Sequence, residues 1–489
     1  GNSYDDDDDG GVGHSIPHPD DLPRMKKGDG ASHNKRHKAM QTFAGVAGNV
    51  LEWYDFAVFG FFSDEISRVF FPPQEGNAGI VESFTVFGLA FLMRPIGGAL
   101  LGYIGDTYGR KRALEISIFL MAFPTFTMGC LPSYESVGSL SIILLILVRC
   151  LQGLSVGGQL VSSLVFTLEH NPKHQWGLYG SFVMAAANFG TLLGGLIATL
   201  LRTVLTEDQL LSYGWRIPFL SGILVSFCGL YLKMYGDEDS IDHHHGGGGT
   251  KEGGGSSNPL RMAFRKENRR ALTAVTLVPM LWASGFYISF VWMATFMSDL
   301  IETPVPGAFY VNSFALFISV CLLFPLAGIL SDIFGRTRIM YIGGTSLAIL
   351  APIMVYVISQ GSAVAAFFAQ NALGIAVSLW GAPMCAWLVE SFPPEIRLTS
   401  VAVGYNLANA IAGGTSPALA TLLVDRYGKT SPGYMISFIA VFSVTGLFIG
   451  QGTTNYNNDG AGNLGALPES SPPASPSGDD IFNYDSDDN

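Results

Sequence analysis

One eleven-residue pattern occurs twice in this chain. Gly102 to Arg112 reads G-x-x-x-D-x-x-G-R-x-R, and Gly328 to Arg338 reads the same. Each copy lies between two long apolar runs, so each is a short basic hairpin held between helices that prefer lipid to water. A hairpin of this kind, repeated about half a chain later, restricts the fold to a duplicated bundle of membrane helices. The repeat extends further. Gly153 and Glu169 match Gly374 and Glu390 at a common offset of 221 residues, and the pair Gly194-Gly195 matches Gly413-Gly414.

A helix needs roughly 20 apolar residues to cross a bilayer. Twelve such runs are present, near 43–63, 80–104, 113–131, 139–168, 176–201 and 215–235, then 271–297, 309–331, 339–359, 364–390, 398–424 and 432–451. Charged residues make up 13% of the chain, about half their share in soluble proteins. The expected fold is all-α, a polytopic membrane protein with twelve transmembrane helices in two homologous six-helix halves. Its expected organisation is a disordered polar N-tail (1–39), an N-terminal bundle (40–235), a cytosolic linker (236–268), a C-terminal bundle (269–451) and a disordered acidic C-tail (452–489). The linker is rich in Gly, His, Asp and Ser and includes His243 to His245, a run better suited to a flexible segment than to a metal site. The net charge of −12 comes largely from the tails and linker, so it says little about a substrate.

Lys and Arg placement sets the orientation. With both termini in the cytosol, tails and inner loops hold 20 of the 27 basic residues and outer loops hold five. The other two, Arg94 and Arg149, lie within apolar runs. The chain is thus expected to be an integral, multi-pass protein of the plasma membrane with both termini cytosolic.

Ionisable groups at membrane depth are costly and usually functional. Glu52 and Asp55 stand at i and i+3 on one helical face, and Asn49 extends that face. Both acids are about 15 Å of helix from either end of their run. Arg94 and Arg149 reach similar depth, with Gln152 and Gln159 near the face of Arg149. A carboxylate in a low-dielectric site favours its protonated form, and a nearby Arg favours the charged one. That balance suits Glu52 or Asp55 to proton coupling; a purely structural charge network is the competing reading. Arg94 suits a substrate carboxylate or a packing role equally, and Arg149 fits helix orientation somewhat better than substrate contact.

The repeated loops read as a cytosolic gate. Asp106 and Asp332 can meet a helix N-terminus or a nearby Arg. Glu169 and Glu390 end their runs on the same side, as partners for Arg110 and Arg336. The five cysteines lie in apolar runs without disulfide or metal spacing. No nucleophile–base pair, phosphate-binding loop or metal spacing is present, so an enzyme is not expected, nor is a cofactor or nucleic-acid partner.

These residues resemble the major facilitator superfamily, and more closely its metabolite:proton symporter branch, which contains proline/glycine-betaine, 2-oxoglutarate, citrate and shikimate transporters. The resemblance covers about residues 40–450. It rests on Gly48-Asn49-x-x-Glu52-Trp53-Tyr54-Asp55-Phe56, Phe91-Leu-Met-Arg94-Pro95-Ile-Gly97-Gly98, Gln152-Gly153-Leu-Ser155-Val-Gly157-Gly158, Gly214-Trp215-Arg216-Ile217-Pro218-Phe219 and Glu390-Ser-Phe392-Pro393 with Arg397, Tyr405-Asn406 and Gly413-Gly414. The repeated loop is specific to the superfamily; the first signature and the Trp-Arg-Ile-Pro-Phe run are specific to the branch. The resemblance implies alternating access and proton-driven uptake of a small polar metabolite by a monomer in the lipid bilayer. It makes Glu52 and Asp55 coupling residues and assigns Asn49, Tyr54, Arg94, Arg149, Gln152, Gln159, Tyr405 and Asn406 to substrate. Gln159 stands where the branch usually carries Glu, which leaves the coupling ion and stoichiometry open. Thr107 stands where the first loop usually has a basic residue. The C-tail lacks the heptads of some osmosensing relatives.

The expected function is proton-coupled symport of a zwitterionic osmolyte such as proline or betaine. A di- or tricarboxylate gripped by Arg94 and Arg149, a uniporter that has lost coupling, and a non-transporting nutrient sensor of the same fold are the alternatives.

Overall fold

The computed structural model describes residues 1, 49–50, 52–72, 78–108, 110–169, 171–221, 264–394 and 396–451, without the side chains of 102, 103, 105–115, 118 and 159. The expected tails, most of the linker, and the side chains of Asp106, Arg110 and Gln159 lie outside that description. The chain divides into residues 1–45 and residues 46–489, and all that follows concerns the second unit.

The first half has the helical rods α1 (52–70, broken at Phe62), α2 (Ala78–Tyr108), α3 (Arg110–Cys130), α4 (Leu140–Glu169) and α5 (Lys173–Val204), and the five-residue helix α6 (Arg216–Leu220). The second half has α7 (Lys266–Asp299), α8 (Ala308–Phe334), α9 (Arg336–Ile358), α10 (Ala363–Glu390), α11 (Arg397–Tyr427) and α12 (Ser431–Gly450). Nine of these described rods are long and apolar enough to cross a membrane.

The bundle carries its apolar residues on both surfaces. Phe119 and Phe123 on α3, Ile349 on α9, and Phe438 and Phe448 on α12 are exposed, while Glu52, Asp55, Arg94 and Arg149 are buried. That inversion suits hydrocarbon outside and a polar interior.

The first rod continues past its expected end, because Ser63–Phe70 is amphipathic and its charges are answered locally. Arg202 of α5 donates to both Glu65 oxygens, at 2.5 and 2.9 Å. Arg68 pairs with Asp64 at 3.0 Å and with Glu207 at 2.7 Å.

Small residues set the helix crossings. A Cβ on Gly153 of α4 would sit 2.1 Å from the carbonyl oxygen of Ala90 in α2, and one on Gly157 would sit 2.2 Å from that of Arg94. The two backbones therefore touch along one turn, as small residues permit in membrane bundles. This contact fixes Arg94 beside the turn of α4 that carries Arg149 and Gln152.

The halves meet along several seams. Toward one end, Ser63 and Thr295 hydroxyls are 3.3 Å apart, and Thr203 and Tyr310 hydroxyls 2.7 Å apart. Toward the end that bears the repeated loops, Asp332 of α8 accepts from the backbone N–H groups of Gly177 and Leu178, each at 2.9 Å. Midway, Asn406 of α11 donates to the Gly157 carbonyl.

Candidate functional site

Asp55 sits in a hydrogen-bonded network in which only Nη1 of Arg149 takes part, its Nε and Nη2 being buried without a partner. Arg149 Nη1 donates to Asp55 Oδ2 at 3.3 Å and to Gln152 Oε1 at 2.8 Å. Gln152 Nε2 donates to Asp55 Oδ1 and to Thr125 Oγ1, both at 2.9 Å. Thr125 in turn donates to the Met121 carbonyl at 2.8 Å. The local reason is periodicity: Arg149 and Gln152 are one helical turn apart on α4, so both point at α1. Arg149 is fully buried, and its guanidinium lies over the rings of Phe59 at 4.2 Å and Phe56 at 5.0 Å. Removing one partner from a buried pair of this kind costs roughly 3–5 kcal/mol, because the other charge is left uncompensated.

A second set of groups lies beside the first and is far less satisfied. Glu52 is within electrostatic reach of Arg94, but no ion pair within bonding distance joins them among the described residues. Arg94 lies over Phe91 at 4.1 Å and over Phe56 at 4.6 Å. Tyr287 of α7 interacts with both Arg94 and Glu52, and Tyr405 of α11 with Tyr287 and Arg94. The Trp53 ring stacks parallel to that of Tyr287 at 5.9 Å. Asn49 Oδ1, Glu52 Oε2, Trp53 Nε1 and Arg94 Nε are all buried without a hydrogen-bond partner. Buried polar groups are nearly always paired in native structures, so the orphaned Glu52, Arg94 and Trp53 atoms mark a polar level beside Tyr287 of the other half.

The loop end carries a layer of ion pairs. Arg336 bonds Glu390 at 3.2 Å and also contacts Asp332. Glu169 accepts from Arg397 of the other half at 2.6 Å; its expected partner Arg110 has a side chain outside the described residues. Arg397 opens α11 and projects across to the end of α4.

Residues 56–417 match the Major Facilitator Superfamily. The chain belongs to the major facilitator superfamily. It is similar to the proline/betaine transporter of Escherichia coli (strain K12), 30% identical over 415 residues, covering 83% of this chain and 81% of that one. It is also 30% identical to the glycine betaine/proline/ectoine/pipecolic acid transporter OusA of Dickeya dadantii over 412 residues, covering 83% and 82%. Among solved structures, the proton:xylose symporter XylE bound to 6-bromo-6-deoxy-D-glucose superposes with a TM-score of 0.65 at 20% identity, covering 85% of this chain and 96% of that one. This superfamily member is thus a multi-pass membrane protein.

The superfamily fold brings some of the sequence-selected residues together and leaves others apart. Asp55, Arg149 and Gln152 share one network; Glu52, Arg94 and Tyr405 share the other level, and Asn49 is buried one turn before Glu52. Tyr54 points elsewhere, its hydroxyl 3.3 Å from the Pro218 carbonyl of α6 and from the Ser221 hydroxyl just after it. Asn406 is engaged with the Gly157 backbone. Three contributors were not singled out from the sequence as site residues: Thr125, Tyr287 and Arg397. Arg397 carried a usable signal, a lone cation at the head of a helix; the other two carried none.

Proposed function

We propose that this protein is a proton-coupled symporter of a small zwitterionic osmolyte of the proline or betaine type, working by alternating access. The observation that carries the reading is the buried Asp55–Arg149–Gln152–Thr125 network in a superfamily member whose curated relatives are named proline/betaine transporters. Asp55 is the coupling acid. When charged, it accepts from Arg149 and Gln152; when protonated, it loses the ion pair, and α1 and α4 are freed to shift. A reversible change of this kind at mid-depth is what a proton must do to drive a conformational exchange. Glu169–Arg397 and the Asp332 contacts with the head of α5 act as a latch at the loop end, which faces the cytosol by the distribution of basic residues. The protein works as a monomer in the bilayer, without cofactor and without catalysing a covalent step.

The test is uptake by proteoliposomes under an inward proton gradient, with labelled proline, betaine, 2-oxoglutarate and citrate offered in parallel, with and without an uncoupler. Uncoupler-sensitive uptake of proline or betaine is expected. Uptake of an acid in their place, or uptake insensitive to the uncoupler, would contradict the reading.

A further inference from the structure

The two mid-depth charge sets are satisfied to different degrees, and the difference points to separate tasks. In the first set, Arg149 Nη1 bonds Asp55 directly and through Gln152, while Arg149 Nε and Nη2 have no partner. In the second set, Glu52 and Arg94 are both nearly inaccessible, at 3% and 2% exposure, each keeps an unpartnered atom, and they do not bond each other. Two buried, unbonded charges of opposite sign are costly. A proton on Glu52 would answer the acid alone and leave Arg94 bare. A mono- or dicarboxylate would answer Arg94 and add a like charge opposite Glu52. A molecule that carries a cation and a carboxylate a few bonds apart answers both.

The neighbours agree with that pattern. Trp53, next to Glu52 in the chain, stacks on Tyr287 at 5.9 Å, and aromatic faces attract ammonium groups. The buried Tyr287 and Tyr405 hydroxyls, both in electrostatic reach of Arg94, are donors suited to a carboxylate. We infer that Glu52 and Arg94 are the two poles of a zwitterion site, Glu52 with Trp53 and Tyr287 facing the ammonium and Arg94 gripping the carboxylate. This assignment rests on the symport reading above, and it makes Glu52 a specificity residue rather than a second proton carrier.

The test compares glycine betaine with 3,3-dimethylbutanoate, the same shape with carbon in place of the charged nitrogen, by calorimetry on the full-length protein in nanodiscs. The wild type should prefer betaine by about tenfold or more, since a lost buried charge contact costs at least 1.4 kcal/mol. Glu52→Gln should bring the two affinities to within about threefold of each other. In a second arm, Arg94→Gln should raise the affinity for choline relative to betaine, because only the cationic pole then remains. An unchanged betaine preference in Glu52→Gln, or normal betaine affinity with loss of uncoupler-sensitive accumulation, would overturn the assignment. So would Arg94→Gln with no gain for choline. Failure of the symport reading looks different: a wild type that takes up neither proline nor betaine.

Discussion

Asp55 and Glu52 stand three residues apart on α1, yet their surroundings divide them. Asp55 accepts hydrogen bonds from two side chains, Arg149 and Gln152, whereas Glu52 Oε2 has no partner. Asp55→Asn should therefore abolish uncoupler-sensitive accumulation while substrate exchange across the membrane persists, read as counterflow of labelled betaine in proteoliposomes. Retained accumulation would remove Asp55 from the coupling path. Gln152 has a structural share in the same network, because its amide joins Arg149, Asp55 and Thr125. Gln152→Leu should lower stability by about 1–3 kcal/mol per polar group left unpaired, seen as a lower unfolding temperature in detergent. The charged members of this site were legible in the sequence because a charge inside an apolar run has few innocent explanations. Thr125 was not. Thr85, Thr125 and Thr127 all donate to the carbonyl four residues back, at 2.7, 2.8 and 2.8 Å, a bond that any helical threonine can make. Only the tertiary partner Gln152 sets Thr125 apart, and no local pattern encodes it.

At the scale of elements, the site depends on irregular turns and close crossings. Tyr287 opens a π-helical turn in α7, Tyr287–Trp292. Such turns loosen the regular bonding of a helix and are frequent at functional sites. Two polar side chains occupy carbonyls of that turn: Gln370 Nε2 donates to Ser289 at 2.7 Å, and Asn312 Nδ2 donates to Phe290 at 2.9 Å. Asn312→Leu should reduce stability by about 1–3 kcal/mol and weaken substrate binding through Tyr287, two effects separable by melting and by equilibrium binding. The apolar runs in the sequence located α7 but gave no sign of this turn, because its support comes from α8 and α10. The α2–α4 crossing was partly visible as glycine-rich stretches, although their partner was not. Gly157→Val should part α2 from α4, since a Cβ there meets the Arg94 carbonyl at 2.2 Å. Loss of folded protein in membranes would be the readout.

At the scale of the whole molecule, duplication and divergence are both apparent. The repeated loops, the paired glycines and the offset of 221 residues made two halves readable before any coordinates. The same offset carries Arg149 onto Gln370. The first half thus holds an ion pair where the second holds a neutral amide joined to Asn312 and to the α7 backbone. Among the described residues, the buried mid-depth charges Glu52, Asp55, Arg94 and Arg149 all lie in the first half, while Tyr287 of α7 and Tyr405 of α11 face them from the second. Contacts between halves were the least legible part, as with Glu169 and Arg397, because sequence spacing says nothing about which helix of one bundle meets which helix of the other. The measurement that tests the account most directly follows protons rather than substrate. Liposomes containing the protein and an internal pH dye, clamped at zero membrane potential, are given an inward betaine gradient without a pH gradient. The account predicts acidification of the interior with the wild type and none with Asp55→Asn, although labelled betaine still enters. Betaine entry through the wild type without proton movement would contradict it.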